Sequence, residues 1–127
     1  MTDRQLTDNT GKHTYRHLVE LATEALFAVD EDNCFEIANE VFLSLVGYSR
    51  SELLGTPVTA VLTDDSVGEW EQQVNLLRTE TRTESNEWSA RVVTKTGTEA
   101  PVSVRLAEVD RETVAGIVTD ERQRNRR

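Results

Sequence analysis

The chain predicts an α+β domain: one antiparallel five-stranded sheet with helices on one face. Three observations carry this. Two short apolar runs flank an acidic turn near residue 30. Three segments with period-two alternation fill residues 88–118. Between these groups the period changes to three and four, with capping residues at each helix start. The chain has 127 residues, which argues for one domain.

The elements follow in order. Residues 1–13 are polar and read as a flexible N-terminal segment. Tyr15, Leu18, Val19 and Ala22 recur at helical spacing, so a first amphipathic helix is predicted over 14–24, with Thr14 as its cap. "ALFAVDEDNCFEIAN" reads as strands Leu26–Val29 and Cys34–Ile37 around the turn Asp30–Asn33. Asn39 then caps a short helix whose predicted apolar face is Val41, Phe42, Leu45 and Val46, with Phe42 and Leu45 inward. Gly47 ends it, where a left-handed residue is needed. Ser49 and Glu52 have capping-box spacing, Gly55 closes that second helix, and Pro57 opens a third short turn. Val67, Trp70, Val74 and Leu77 predict a longer helix over 65–78. Residues 79–87, "TETRTESNE", contain no apolar side chain and read as a polar link. Trp88, Ala90 and Val92 then alternate with Ser89 and Arg91. "KTGT" makes a hairpin turn, Val102, Val104 and Leu106 alternate with Ser103 and Arg105, and Val114, Gly116 and Val118 finish the last strand.

The bulk numbers exclude several function classes. No run of about 18 apolar residues exists to span a membrane, and the N-terminus has no secretory h-region. The single cysteine, Cys34, rules out an internal disulfide framework and multi-cysteine zinc sites. A cytoplasmic location is expected. Of 14 basic residues, four lie in 122–127; the remaining 10 against 23 acids give residues 1–121 a net charge of −13. Such a surface repels nucleic acid and anionic lipid. Two lysines against twelve arginines, with abundant acid and threonine, resemble the composition of proteins from salt-loving archaea; an ordinary acidic protein is the alternative. The acids fall in turns and on polar helix faces, where nothing shifts their pKa toward catalysis. No P-loop, nucleophile elbow or hydrolase metal spacing is present, so no enzymatic activity is expected.

This order of elements, and the motifs within it, resemble a PAS domain. "NEVFLSLVGYSRSELLG" (39–55) resembles the family's Asn, short helix, Gly-Tyr-Ser and Glu-Leu-Leu-Gly block. "YRHLVELATEALFAVDEDNCFEIAN" resembles the leading helix and first hairpin. "EWSARVVTKTGTEAPVSVRLAEVD" resembles the third and fourth strands, and "VAGIVTDERQRNRR" the last strand and exit. The resemblance covers about residues 14–122. It implies strand order 2-1-5-4-3, a PAS domain over 14–121 and the start of a signalling linker at 122–127. Two departures stand out. Asn33 occupies a turn position where the family usually has Gly, a change Asn tolerates. Asp120 is followed by Glu121 and Arg122 rather than Ile-Thr, which puts the usual exit bonding in doubt.

What the resemblance implies for function is a sensory module of a signal-transduction protein: a histidine kinase, transducer or transcription regulator. Such modules bind a small molecule between sheet and helices, dimerise, or both. By apolar phase and family position the pocket candidates are Phe27, Phe42, Val46, Leu62, Trp70, Val74, Trp88 and Val118. Trp70 and Trp88 suit a wall for a flat aromatic or heterocyclic ligand, or core packing. Tyr15, Leu18 and Leu21 are the candidates for homodimer contact, and an interaction module with a packed core is the competing reading. A flavin-binding redox sensor is a weaker one. Covalent flavin is argued against because the light-sensing relatives carry their reactive Cys on a later helix, and "TPVTAVLTDD" has none. Haem is argued against because no His lies between Thr63 and Leu77. His13 and His17 stand four apart but lack a further ligand, so no metal is expected.

Overall fold

The computed structural model describes residues 18–79 and 84–124. Residues 18–21 are the described end of the leading helix. There follow β1 (Ala25–Val29), β2 (Phe35–Ala38), α1 (Glu40–Val46), α2 (Arg50–Leu53) and a 3-10 turn (Val58–Val61). Then come α3 (Asp64–Thr79), β3 (Trp88–Val93), β4 (Glu99–Asp110), β5 (Thr113–Asp120) and α4 (Glu121–Arg124). The strands form one antiparallel sheet in the order β2-β1-β5-β4-β3. No described helix is long and apolar enough to cross a membrane.

The local signals act where the residues predict. Asn39 Oδ1 accepts the Phe42 N–H, and Gly47 ends α1 at φ 81°. Ser49 and Glu52 form a reciprocal capping box on α2. The 3-10 turn follows Pro57. Asn33 takes φ 63°, the left-handed backbone its position requires. Asp30 Oδ1 accepts from the N–H groups of Asp32 and Cys34 and fixes this turn. From α3, Arg78 donates to the carbonyls of Asp30 and Glu31 at 3.0 Å each, pinning the turn to the long helix.

Several boundaries and faces differ from the sequence expectation. The leading helix stops at Leu21, not residue 24. Ala22 N–H turns back to the Val19 carbonyl, and the carbonyls of Val19 and Glu24 are taken by the Asn39 amide. Strand β2 starts at Phe35; Cys34 makes an isolated bridge to Pro57. On α1 the buried residues are Phe42, Leu43 and Val46, so Leu43 replaces Leu45 as an inward residue. Val41 is 39% exposed, and Leu45 packs only at the margin. The helix is too short for a wide apolar stripe. Its inner face is set by the tilt that the Asn39 cap imposes. The polar link also ends early: Ser85 is buried, its N–H donating to the Leu106 carbonyl and its Oγ accepting the Leu106 N–H.

The core lies between the inner sheet face and the helices. Trp88, Ala90 and Val92, then Val102, Val104 and Leu106, then Val114 and Val118 line the sheet side. Against them pack Phe42, Leu43, Val46, Leu53, Trp70, Val74 and Leu77. Strand β2 holds a bulge opposite Ala28 and Val29. As a result Phe35 joins the inner core, while Ile37, two residues on, sits on the outer face with Val19 and Ala28.

Candidate functional site

The eight pocket candidates come from six different segments, and the fold brings them together. Phe27 (β1), Phe42 and Val46 (α1), Trp70 and Val74 (α3), Trp88 (β3) and Val118 (β5) belong to one buried cluster. Leu62, just after the 3-10 turn, is partly buried and packs against it. Phe27 is the hub. Its ring centroid lies 5.1 Å from Phe42, 5.6 Å from Phe35 and 6.0 Å from Trp70. Phe35 and Phe42 stand 5.5 Å apart and complete the group. The region is therefore an aromatic-rich packed volume.

Gly116 explains how the Phe27 ring fits. It faces inward on β5, opposite Phe27. A Cβ at Gly116 would lie 2.4 Å from two Phe27 ring carbons and 3.1 Å from Leu106 Cδ2. The ring lies on bare backbone. Gly116, Phe35, Leu43 and Leu53 all shape this volume and were not among the sequence candidates. For Gly116 the signal was present: a glycine at an inward position of an alternating strand marks close approach of another group.

The polar groups here are few. Trp70 and Trp88 are buried, and neither indole Nε1–H has a hydrogen-bond partner. A buried donor without an acceptor costs about 1–3 kcal/mol each. Asn39 is buried but does not point a free group at the site. Its Oδ1 accepts from Leu26 and Phe42, and its Nδ2 donates to Val19 and Glu24.

Open clefts border the described residues, two of them beside candidate residues or the outer sheet face. One, of about 430 Å³, is walled by Val41, Ser44 and Leu45 of α1 and by Val118, Thr119, Asp120 and Arg122 at the exit. Val118 is the pocket candidate that reaches it. The other, about 330 Å³, lies on the outer sheet face among Leu26, Ala107, Val109, Ala115 and Ile117. Leu18 and Leu21, two of the dimer candidates, are 59% and 72% exposed. Tyr15, His13 and His17 lie outside the described residues.

The charged groups serve as clasps. Lys95, in the β3–β4 turn, binds Glu52 at 2.5 Å, and its N–H donates to the Val46 carbonyl. The Lys95 ammonium, followed by the Ser49 N–H, lowers the Glu52 carboxyl to about 2. At the exit, Arg122 binds Asp120 through its backbone N–H and its guanidinium, and holds that carboxyl below the usual range. Ser103 Oγ bonds Glu121, so an exit-to-sheet tie exists without the family's threonine. Cys34 is half-buried; desolvation, then the Asp30 and Asp32 carboxylates, push its thiol up, so it stays protonated and weakly nucleophilic. Among the described residues, no group of three or more His, Cys, Asp or Glu could hold a metal.

Comparison with known proteins agrees with this geometry. A family model described as "PAS domain" matches residues 23–123. No curated protein matches in sequence. Among solved structures, a PAS domain from a two-component sensor histidine kinase superposes with TM-score 0.69 at 18% identity, covering 89% of this chain and 98% of its own. The PAS domain of an HTR-like protein from Haloarcula marismortui gives 0.68 at 18% identity, covering 94% and 99%. The Rhodobacter sphaeroides LOV protein gives 0.74 at 16% identity, covering 88% of this chain and 67% of its own. With the family model matching most of the chain, and the 2-1-5-4-3 sheet carrying its helices on one face, the chain belongs to the PAS domain family.

Proposed function

We propose that this domain is a sensory module of a signal-transduction protein and that it takes a small, flat, apolar molecule with hydrogen-bond acceptors between sheet and helices. One observation carries the reading: the buried indole N–H groups of Trp70 and Trp88 have no hydrogen-bond partner, and both lie in one core cluster with the Phe27, Phe35 and Phe42 rings. An acceptor-bearing ring would satisfy those donors and stack on the aromatic walls. Room for it comes from rotation of Phe27 off Gly116, which couples filling of the site to movement of α1 through Phe42. The domain itself performs no chemistry in this reading, and any catalytic output belongs to a partner domain.

The test is native mass spectrometry of gently purified protein, joined to tryptophan fluorescence titrations with indole, quinoline and flavin mononucleotide. Trp70→Phe and Trp88→Phe each remove one donor and weaken binding about tenfold. A protein that carries no molecule, quenches with none of the three probes and gains stability in both variants has a filled core and no site. A flavin band in the visible spectrum would instead favour the redox-sensor reading.

A second reading has its own observation. The outer sheet face keeps Val109 and Ile117 exposed around the apolar cleft, and Leu18 and Leu21 of the leading helix are exposed as well. That surface suits a homodimer. Ile117→Lys and Leu21→Lys shift a dimer to monomer in sedimentation equilibrium. If neither changes the measured mass, the face is not the interface. The acid-rich surface supports a further proposal, that the domain works at high salt.

A further inference from the structure

Beside α1 the inner face of the sheet comes close to open space. Ala25 of β1 and Val118 of β5 pair with each other and belong to the buried core cluster, and both also line the cleft of about 430 Å³. Two residues further along the same strands, about 7 Å away, Phe27 lies opposite Gly116. The Ala25–Val118 floor of the cleft is thus one inward step from the ring that rests on bare backbone. On the helix side Leu45 lines the cleft and packs against the core, while Val41 and Ser44 are exposed.

The helix is tied at its two ends. At its start Asn39 bonds Leu26, Val19 and Glu24, and at its end the Val46 carbonyl accepts the Lys95 N–H. Among the described residues, no hydrogen bond joins Val41, Ser44 or Leu45 to β1 or β5. This flank can part from the strands by sliding apolar contacts, which leaves no buried donor unpaired. Other clefts are closed more firmly. One of about 230 Å³ beside β3 also borders core residues, Ala90 and Val102. There the Arg91 N–H donates to Ser66 Oγ at 2.8 Å and the Arg91 carbonyl accepts from the Thr63 N–H at 3.1 Å, which laces the start of α3 to the strand. The outer cleft is separated from the core by the sheet itself, where Leu106 and Gly116 are paired.

We propose that the cleft between α1 and the exit is the mouth of the inner volume, with Leu45 as its gate. A small flat molecule enters between Leu45 and the Ala25–Val118 floor and takes the space left when Phe27 turns from Gly116. The middle of α1 swings outward on its two tied ends while this happens, and no tie has to break. The inference rests on the proposed function in taking the inner volume as a site, and it adds the route into that site and the side chain that guards it.

The test is quenching of tryptophan fluorescence by acrylamide, a small neutral probe that needs a path to the indole it quenches. A Trp88→Phe background leaves Trp70, whose ring lies 6.0 Å from Phe27, as the reporter. Should that background not fold, Trp88→Tyr replaces it. Leu45→Ala widens the opening, and Ser44→Phe places a ring across it from an exposed position. Ser89→Phe puts the same ring in the smaller cleft beside β3. The proposal expects the Trp70 quenching rate constant to rise at least about threefold in Leu45→Ala, to fall at least about threefold in Ser44→Phe, and to change less than about 1.5-fold in Ser89→Phe. An unchanged rate in Ser44→Phe overturns it, whatever Leu45→Ala does, and so does an equal fall in Ser89→Phe. Stopped-flow binding of quinoline separates this inference from the function it rests on. Association and dissociation slowed together by Ser44→Phe, at similar affinity, support the mouth; rates indifferent to Ser44→Phe keep the function and reject the mouth. A domain that binds no probe rejects the function, and the acrylamide result still decides the mouth.

Discussion

Replacing Asn39 by alanine should destabilise the domain by about 3 kcal/mol, which follows from four hydrogen bonds made by one buried side chain. Oδ1 accepts from Leu26 N–H at 3.1 Å and Phe42 N–H at 3.0 Å. Losing the Phe42 bond removes the cap of α1, worth about 1 kcal/mol. Losing the Leu26 bond strands a half-buried β1 donor, at about 1–2 kcal/mol. The two carbonyls freed from Nδ2 add less, because the Val19 oxygen keeps the Ala22 N–H and carbonyls tolerate a missing donor better than N–H groups tolerate a missing acceptor. Against a total stability of about 5–15 kcal/mol for a domain, this is a large loss for a single polar side chain.

The assay is urea denaturation followed by circular dichroism, with the slope checked for constancy. Asn39→Asp sharpens it. The carboxylate keeps both accepted bonds but faces the Val19 and Glu24 carbonyls where Nδ2 stood. Burial and those carbonyls raise the folded pKa of the new Asp above its unfolded value. The folded state then binds the extra proton more tightly, so the Asp variant regains stability as pH falls, while the Ala variant does not. A loss below about 1 kcal/mol in Asn39→Ala, or the same acid response in both variants, would refute the reasoning, since water would then be replacing the side chain.

Three further outcomes are expected. Gly116→Ala forces a methyl to within 2.4 Å of the Phe27 ring and should cost about 1–3 kcal/mol in urea midpoints, with less than half that cost in a Phe27→Leu background; an equal cost in both backgrounds would place the strain elsewhere. The Glu52–Lys95 clasp, with the Glu52 carboxyl lowered to about 2, contributes stability that is present above the unfolded carboxylate range and fades as pH falls toward 2. The gap between wild type and Glu52→Gln should therefore be constant above about pH 5 and close in acid, and a gap unchanged at low pH would deny the clasp. With a net charge of −13 on residues 1–121, raising KCl from about 0.1 M to about 1 M should raise the thermal midpoint by shortening the screening length from about 10 Å to about 3 Å; a flat salt response would mean the acids are too well separated to repel.

What the residues announced in advance was what local chemistry controls. Ser49, Gly47, Gly97 and the cap that Asn39 makes to Phe42 each satisfy a need within a few positions along the chain, so they were readable without knowing what packs on them; the Asn39 bonds to Val19, Glu24 and Leu26 were not. Strand faces were readable for β3 and β4, where alternation runs unbroken. It failed at β2, because a bulge opposite Ala28 and Val29 sends Phe35 and Ile37 to opposite faces, and a bulge depends on the neighbouring strand. It failed likewise on α1, where seven residues cannot specify their own rotation. Exchanging Leu45 for Leu43 as the inward residue needed the sheet and the Asn39 network.

The same division explains why the site was identified by membership and not by content. The candidates share one cluster because each is apolar and in phase with its element, which a sequence records well. Whether that cluster opens depends on quantities that arise only on assembly: the bare backbone under Phe27 at Gly116, and the two indole N–H groups left without acceptors. The first is an unusually close approach of a ring to backbone, the second a lapse in polar satisfaction, and both belong to the inner side of the sheet. Phe at Trp70 or Trp88 would remove a stranded donor but leave a cavity where the larger ring stood. On the proposed reading, an acceptor-bearing ring is what would satisfy those donors without opening a cavity.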